Sequence, residues 1–417
     1  MTKHGISLSC RYVFLLVMVL GSKSDAGAEG EERIVQRLDL QRLVQEAAEN
    51  NPEIRAARQR WEAAKAVIPQ VQTLPDPRTT LSYQNVTERE TMYGASQEVP
   101  FPGKLRLRGE VATRDAERLE QEYLAARLRI IARLKEAYYD LHFFHQSMEV
   151  VDKNKRILTD FENAAQARYA VGRAVQQDVF RAQTEVSRAV ARLATLEQRR
   201  DSLRAEVNRL LNRPPVDPLG TPPEITLTGL QRSLADLQAV IEQAAPTLRA
   251  QRKGVERGDQ AIALARREYF PDFDIGVFGF RNETMRRNGY QFMVGLKVPL
   301  YYATKQRQGV QEALATRESA AQDLQAVRQD LLFRLRDNFA QVQRAERLIS
   351  ILRNAIIPQA TFTLESAQAG YAVGTVDFLT LLNSLLTLQE NQLELHGEMV
   401  EHEKAITRLE EIVGSAP

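Results

Sequence analysis

Few side chains in this sequence have the types and spacing that chemistry requires. His142 and His145 stand one i, i+3 step apart with Asp140 nearby, a spacing able to hold a metal ion on one helix face. A solvated helix face needs no ligand to explain the same residues, and that is the reading taken: no metal site. His396 and His402 are the remaining histidines beyond the N-terminal region. No phosphate-cradling glycine loop and no Gly-x-Ser-x-Gly elbow occurs, and the only cysteine is Cys10. No catalytic residues and no cofactor are expected, and the chain does not read as an enzyme. Two acids stand apart from this. Asp178 and Asp377 lie six and three residues after Gly172 and Gly374, and each glycine closes a Tyr-Ala-Val-Gly turn. In an assembly around an axis, carboxylates at such turns form a ring that attracts cations and can be held shut by hydrogen bonds. Asp178 also suits an N-cap or the first turn of a returning helix, where the helix dipole favours an acid. Both roles can hold at once.

The elements carrying these turns are written twice, about 200 residues apart. Tyr169-Ala170-Val171-Gly172 returns as Tyr371-Ala372-Val373-Gly374, and Val179, Ala182 and Val186 keep step with Leu381, Ser384 and Leu388. Leu74-Pro75-Asp76-Pro77 has a counterpart in Phe270-Pro271-Asp272-Phe273, and Val99-Pro100-Phe101 in Val298-Pro299-Leu300. The chain is a duplicated half-protein. Its expected parts are a signal peptide (1–28), a first repeat (29–212), a linker with five prolines and two glycines (213–229) and a second repeat (230–417).

Lys3, His4 and Arg11 precede an apolar run from Tyr12 to Leu20, followed by Ala26-Gly27-Ala28, the signature of an exported chain. Cys10 precedes that run, whereas a lipoprotein cysteine follows it, so Cys10 is expected to leave with the signal. The net charge of +2 is too small for a nucleic-acid surface. Past the signal, no apolar stretch reaches the ~18 residues of a membrane helix, so strands must do any crossing.

Within each half the pattern reads helix, β-hairpin, very long helix, turn, helix. Asp39 to about Val71 is helical by periodicity, ending at Pro75 and Pro77. Arg78 to Phe101 switches to period two, with a turn at Thr87 to Thr91. In the second half Phe273, Ile275 and Val277 alternate with Asp274 and Gly276. After a turn at Arg281 to Asn288, Tyr290, Phe292, Val294, Leu296, Val298 and Leu300 share a face. Apolar residues outward and polar or small ones inward suit a membrane barrel strand, although a half-buried soluble sheet alternates likewise. Ala116, Tyr123, Ile130, Ala137, Phe144, Val151, Leu158 and Ala165 repeat at heptad spacing in a helix from Lys104 to Arg168. From about Thr304 the series Leu314, Ala321, Leu335, Val342, Ile349 and Ile356 repeats it, broken at Arg328 and with a kink expected at Pro358. Shorter helices follow, from about Asp178 to Leu211 and Phe378 to Val413.

With these features in place the chain resembles the TolC-type outer membrane efflux proteins over essentially its whole mature length. The likeness rests on the duplicated unit, both Tyr-x-x-Gly turns, Gly374-Thr375-Val376-Asp377-Phe378-Leu379 and Asn51-Pro52-Glu53-Ile54-Arg55-Ala56-Ala57. Leu74-Pro75-Asp76-Pro77 and Ser96-Gln97-Glu98-Val99-Pro100-Phe101-Pro102-Gly103-Lys104 are similar to the heavy-metal-efflux (CusC- and CzcC-like) branch. The resemblance implies a mainly α fold with a membrane β-barrel contribution. Three copies would close a twelve-stranded barrel in outer membrane lipid, above a periplasmic α-helical tunnel. The homotrimer would dock a periplasmic adaptor (membrane fusion protein) and an inner membrane RND-type pump, acting as a passive duct with heavy-metal cations as the favoured cargo and drugs as a second. Ring-forming aspartates of relatives lie six and nine residues after the second glycine, where this sequence has Thr380 and Asn383. The gate and tip candidates are therefore Asp178, Asp377, Tyr169, Tyr371, Thr380 and Asn383, with Gly172 and Gly374 as helix-turn glycines. The alternative is a periplasmic coiled-coil adaptor without a barrel, which needs one helical hairpin where this chain has two.

Overall fold

In the computed structural model, which describes residues 38–414, the duplicated order is spelled out element by element. The first half runs α1 (Leu40–Asn50), α2 (Pro52–Gln72), β1 (Arg78–Asn85), β2 (Arg89–Val99), α3 (Lys104–Ala170) and α4 (Gln176–Leu210). The second runs α5 (Leu234–Ala244), α6 (Pro246–Arg267), β3 (Asp272–Asn282), β4 (Arg287–Lys297), α7 (Gln306–Ile351), a π-helical turn (Leu352–Ile356), α8 (Ile357–Val373) and α9 (Phe378–Val413). The signal peptide and Cys10 lie outside the described residues.

The single helix expected from Asp39 to Val71 is in fact two. Asn51 closes α1 through its backbone N–H and caps α2 through its side chain, which accepts from Glu53 N at 2.9 Å and Ile54 N at 3.2 Å. Pro52 suits the first helical position, where no donor is needed, and holds Asn51 extended. Ala245-Pro246 repeats the break between α5 and α6, so the interruption belongs to the duplicated unit. The kink expected at Pro358 takes the form of the π-helical turn just before it. There the Ile357 N–H reaches back to Leu352 O, and the widened turn accommodates the donor that proline lacks.

At 67 residues α3 is ~100 Å long. Six of its eight heptad positions are buried, with Tyr123 and Phe144 half-buried. In α7 the seam is covered only from Leu331 onward, through Leu335, Val342 and Ile349. Leu314 is exposed, and Arg328 breaks the seam because it pairs with Glu242 of α5. Each half has its own mid-body core. Leu43, Ile54, Ile130, Leu134 and Leu210 form one, and Leu237, Leu248, Leu331, Leu335 and Leu409 the other. A third core joins both helical hairpins, with Val151, Leu158 and Val179 against Phe378, Leu381 and Leu385. Each fully buried leucine contributes ~1.5–3 kcal/mol relative to exposure.

Polar contacts align the halves. Along α3 and α9, Lys135 pairs with Glu410, Glu136 with Arg408 at 2.6 Å and Asp140 with Lys404 at 3.0 Å. Beside this ladder Glu403 is buried and accepts hydrogen bonds from Thr228 N (2.7 Å) and Thr228 Oγ1 (2.8 Å), with His402 Nδ1 2.9 Å away. Burial alone would raise its pKa, but the His402 and Thr228 hydrogen bonds outweigh it and hold the carboxyl below its ordinary 4.5. Thr228 belongs to the segment between the repeats, which has no helix of its own. That segment is tied down at Thr228, at Thr221 O (by Leu38 N) and at Asp217 O (by Asn208).

His142 and His145 do not lie on a solvated face as expected. His142 is 4% exposed and His145 half-buried, and burial pushes both pKa values down. The long helix is sheathed by α4, α9 and the inter-repeat segment at this height, which the α3 sequence alone could not reveal. Among the described residues no group of three or more His, Cys, Asp or Glu is arranged to hold a metal.

Because the folded pKa of Glu403 is depressed, its stabilisation is complete above the ordinary value and is lost as pH falls through the folded one. Glu403→Gln should cost about 2 kcal/mol near neutral pH in detergent-solubilised protein. The gap from the parent should narrow in thermal melts as pH is lowered through the carboxyl's depressed titration range, below its ordinary value. A deficit independent of pH would show that shape, not charge, is what Glu403 supplies.

Candidate functional site: the sheet and the helical tips

The two hairpins form one antiparallel sheet in the order β1-β2-β3-β4. The β2–β3 ladder joins the halves, from Glu90 opposite Asn282 to Val99 opposite Phe273. Pairing resumes at Arg89, within the expected Thr87–Thr91 turn, and β3 and β4 likewise pair as far as Asn282 and Arg287. Both turns are thus tighter than the polar stretches suggested, because polar residues there still pair through their backbones. At the other end β4 stops at Lys297, since Pro299 has no N–H for a ladder, so Val298 and Leu300 fall beyond the strand.

Register sorts the side chains onto two faces. Leu81, Tyr83, Tyr93, Ala95, Ile275, Val277, Tyr290, Phe292, Val294 and Leu296 share one face, and every one is exposed. Leu81 is 78% exposed, and Phe292 and Val294 are 71% exposed each. The other face carries Ser82, Gln84, Ser96, Glu98, Asp274, Gln291 and Lys297. Phe278 and Phe280 also lie there. The Phe278 ring lies against Gly94, where any Cβ would collide with it. Strands of 11 residues, tilted, match the height of a hydrocarbon core. Among the described residues the outer edges of β1 and β4 have no partner, and a lipid-embedded edge must find one.

Where the sheet meets the helices, Lys104 is 1% exposed. Its Nζ lies 2.8 Å from Asp272 Oδ1 and 3.1 Å from Glu268 Oε2, and donates to Phe270 O at 3.0 Å. Asp272 also accepts from Phe101 N at 2.8 Å, and Phe101 stacks on Phe270 with ring centroids 4.6 Å apart. The repeated Val-Pro-Phe and Phe-Pro-Asp motifs therefore meet in one junction. Sequence reading quoted Lys104 within a motif but did not single it out. Its position after Phe101-Pro102-Gly103 was the available signal.

At the opposite end the tips turn through Gly172 (φ 72°) and Gly374 (φ 85°), both in the left-handed region that favours glycine. Asp377 is the N-cap of α9 and accepts from Thr380 N at 2.7 Å. Hydrogen bonds from Thr380, with Arg181 nearby, hold its pKa below the ordinary carboxylate value. Asp178 is a first-turn acid of α4, not a cap, and its side chain makes no hydrogen bond or ion pair among the described residues. The duplicated tyrosines diverge. Tyr169 is 45% exposed, whereas Tyr371 is 8% exposed, packs against Phe378 and lies under the Arg168 guanidinium at 4.4 Å. Arg168 also donates to Tyr371 O, tying one tip to the other. Sequence analysis missed Arg168, a last-turn cation favoured by the helix dipole. Thr380 and Asn383 are exposed. Asn383 lines an open groove of about 690 Å³ between α4 and α9, with Phe180, Arg181, Thr184 and Leu379.

Residues 43–213 and 238–415 match the family described as outer membrane efflux protein. The cobalt-zinc-cadmium resistance protein CzcC of Cupriavidus metallidurans is 21% identical over 381 residues, covering 90% of each chain. The outer membrane protein TolC of Vibrio cholerae is 21% identical over 411 residues, covering 90% of this chain and 91% of that protein. Among solved structures, the CusC channel superposes with a TM-score of 0.79 at 15% identity, over 90% of this chain and 92% of that one.

Two outcomes follow from this geometry. Phe292→Arg should reduce the membrane-inserted fraction, since a cation on the lipid face costs about 2–4 kcal/mol near the midplane; normal insertion would mean the faces are reversed. At the tip, Asp377→Ala should speed hydrogen exchange over residues 378–382, whereas Asp377→Asn, which keeps a capping oxygen, should not. Equal exchange in both variants would show that the cap does not hold this turn.

Proposed function

The chain belongs to the outer membrane efflux protein family, and from that premise we propose that it is the exit duct for divalent heavy-metal cations in a tripartite pump. Its place is the outer membrane, with a helical body reaching into the periplasm, and it is a passive channel, not an enzyme. None of the described helices is long and apolar enough to cross a membrane. The observation that carries the reading is the sheet: one face with an exposed band of apolar and aromatic side chains, one largely polar face, and two edges unpaired among the described residues.

Three copies pairing β4 of each with β1 of the next would leave no edge and close twelve strands around a polar lumen. Helix faces that one chain leaves bare support the same assembly. Phe333, Ile351 and Phe362 on α7, the π-helical turn's flank and α8, and Phe180 and Val190 on α4, are large and exposed. A head-to-tail interface that closes on rotation would cover them. Transport through such a duct needs no bond chemistry, and the driving energy belongs to an RND-type inner membrane pump reached through a periplasmic adaptor.

Metal cargo is favoured by the likeness to a protein named for cobalt, zinc and cadmium resistance. Asp377, held ionised at an exposed tip, would give three copies a ring of carboxylates that draws cations, joined by Asp178 one hairpin away. Tyr169, Thr380 and Asn383 are exposed beside them, while Tyr371 serves from within the tip.

Mass determination of the detergent-extracted protein should give a heat-sensitive trimer; a monomer or dimer without membrane association would return the adaptor reading. In a strain lacking the gene, cobalt, zinc or cadmium tolerance should fall and drug tolerance should hold, and the reverse pattern would reassign the cargo. In planar bilayers, Asp377→Asn combined with Asp178→Asn should weaken cation selectivity. Unaltered traces would remove both residues from the gate.

A further inference from the structure

The rim of the sheet farthest from the helices carries a feature that transport does not explain. Register places Arg281 on the apolar face, opposite Thr91 and two residues beyond Gly279, in line with Tyr93 and Tyr290. Arg89 continues the same face of β2 by a further step, and Tyr83 pairs opposite Thr91. Two strand residues span ~6.8 Å, less in height once the strand tilts. Arg281 therefore stands level with Tyr83, and Arg89 one step past it, both beyond the row of Tyr93 and Tyr290, at the height where headgroups begin.

Both arginines are exposed, and among the described residues neither side chain makes a hydrogen bond or ion pair. The acids nearby do not neutralise them. Glu88 accepts from Asn282 Nδ2, Glu90 alternates to the polar face, and Glu283 is exposed and pairs with neither. The backbone beneath is fixed. Arg89 N donates to Thr284 Oγ1 at 3.0 Å, Arg89 O accepts from Glu283 N at 2.8 Å, and Asn282 Oδ1 accepts from Met285 N at 2.8 Å. β2 and β3 are the central strands, so pairing of the outer edges with further copies leaves this rim uncovered.

We infer that Arg89 and Arg281 form a docking rim for the phosphate groups of lipopolysaccharide in the outer leaflet. The occupant follows from position and charge. Arginine is the side chain matched to bidentate phosphate recognition. The rim faces lipid, not lumen, and it lies at the end of the sheet away from the periplasmic body. This inference rests on the proposed barrel.

The test compares the parent with Arg89→Ala/Arg281→Ala, Arg89→Lys/Arg281→Lys and Arg287→Ala. Arg287 pairs opposite Asn282 on the polar face and serves as the inward control. Each is reconstituted into phosphatidylethanolamine vesicles with or without lipopolysaccharide, and trimer survival on heating is read on semi-native gels. Lipopolysaccharide should raise the parent's melting midpoint. The double alanine variant should lose most of that shift while matching the parent in phospholipid alone. The double lysine variant should keep part of it, and Arg287→Ala all of it. An undiminished shift in the double alanine variant overturns the rim, as does an equal loss in Arg287→Ala. Equal protection by phospholipid alone assigns the phosphate to the wrong lipid. A parent chain that forms no trimer in either lipid overturns the barrel, and the rim with it; a stable trimer indifferent to lipopolysaccharide overturns only the rim.

Discussion

One buried ammonium holds two architectures in phase. Lys104 opens the long helix of the first half, yet its partners, Glu268, Phe270 O and Asp272, bracket the start of the second hairpin. A charge at 1% exposure is tolerable only when paired and fully hydrogen-bonded, so the positions of α3, α6 and β3 are not independent. The ladder between β2 and β3 starts at Phe273, the residue after Asp272. A slip of one residue there would turn every side chain of a strand to the wrong face. The lock at the junction and the sorting of apolar from polar faces are therefore parts of one constraint. Asp272 serves both, since it accepts from Phe101 N as well as from Lys104.

Above the junction the chain is deliberately incomplete. The sheet has one face too apolar for water and two edges too polar for lipid, and the α7 seam is covered over only part of its length. Within the helical body, by contrast, several charged groups that face another helix find partners in the same chain. The α3–α9 ladder and the Thr228–Glu403 contact satisfy charge inside one chain. Charge pairing inside the body specifies the subunit, whereas the sheet and the bare helix faces demand neighbours and lipid.

Much of this was legible in the residues. Period-two alternation in Tyr290, Phe292, Val294 and Leu296 marked β4, and the heptads from Ala116 to Ala165 marked α3, because local periodicity is dictated by which face is covered. The break at Asn51-Pro52 was present in the letters but hidden by apolar spacing that continues across it, and only the capping geometry separates the helices. His142 was misjudged because its cover comes from elements remote in sequence. Arg168 was passed over for the same reason. Its partner Tyr371 is 203 residues away, and periodicity carries no information on contacts of that range.

The tips show what duplication allows. Both Tyr-Ala-Val-Gly turns use glycine in the same left-handed conformation, so the backbone has been copied faithfully. The side chains have not kept equal duties. Tyr371 became the buried centre of a tip, with Phe378 at its edge and Arg168 over its face, while Tyr169 stayed outside. Arg168 reaches across from the first turn to the second, so the two hairpins of one chain are linked at the ends where a gate would have to move. On the proposed reading, widening the tip within a subunit means separating that guanidinium from both the ring and the carbonyl of Tyr371. Widening between subunits leaves the link intact. The second route breaks fewer contacts, which favours tips that open by moving whole hairpin pairs apart over tips that unravel.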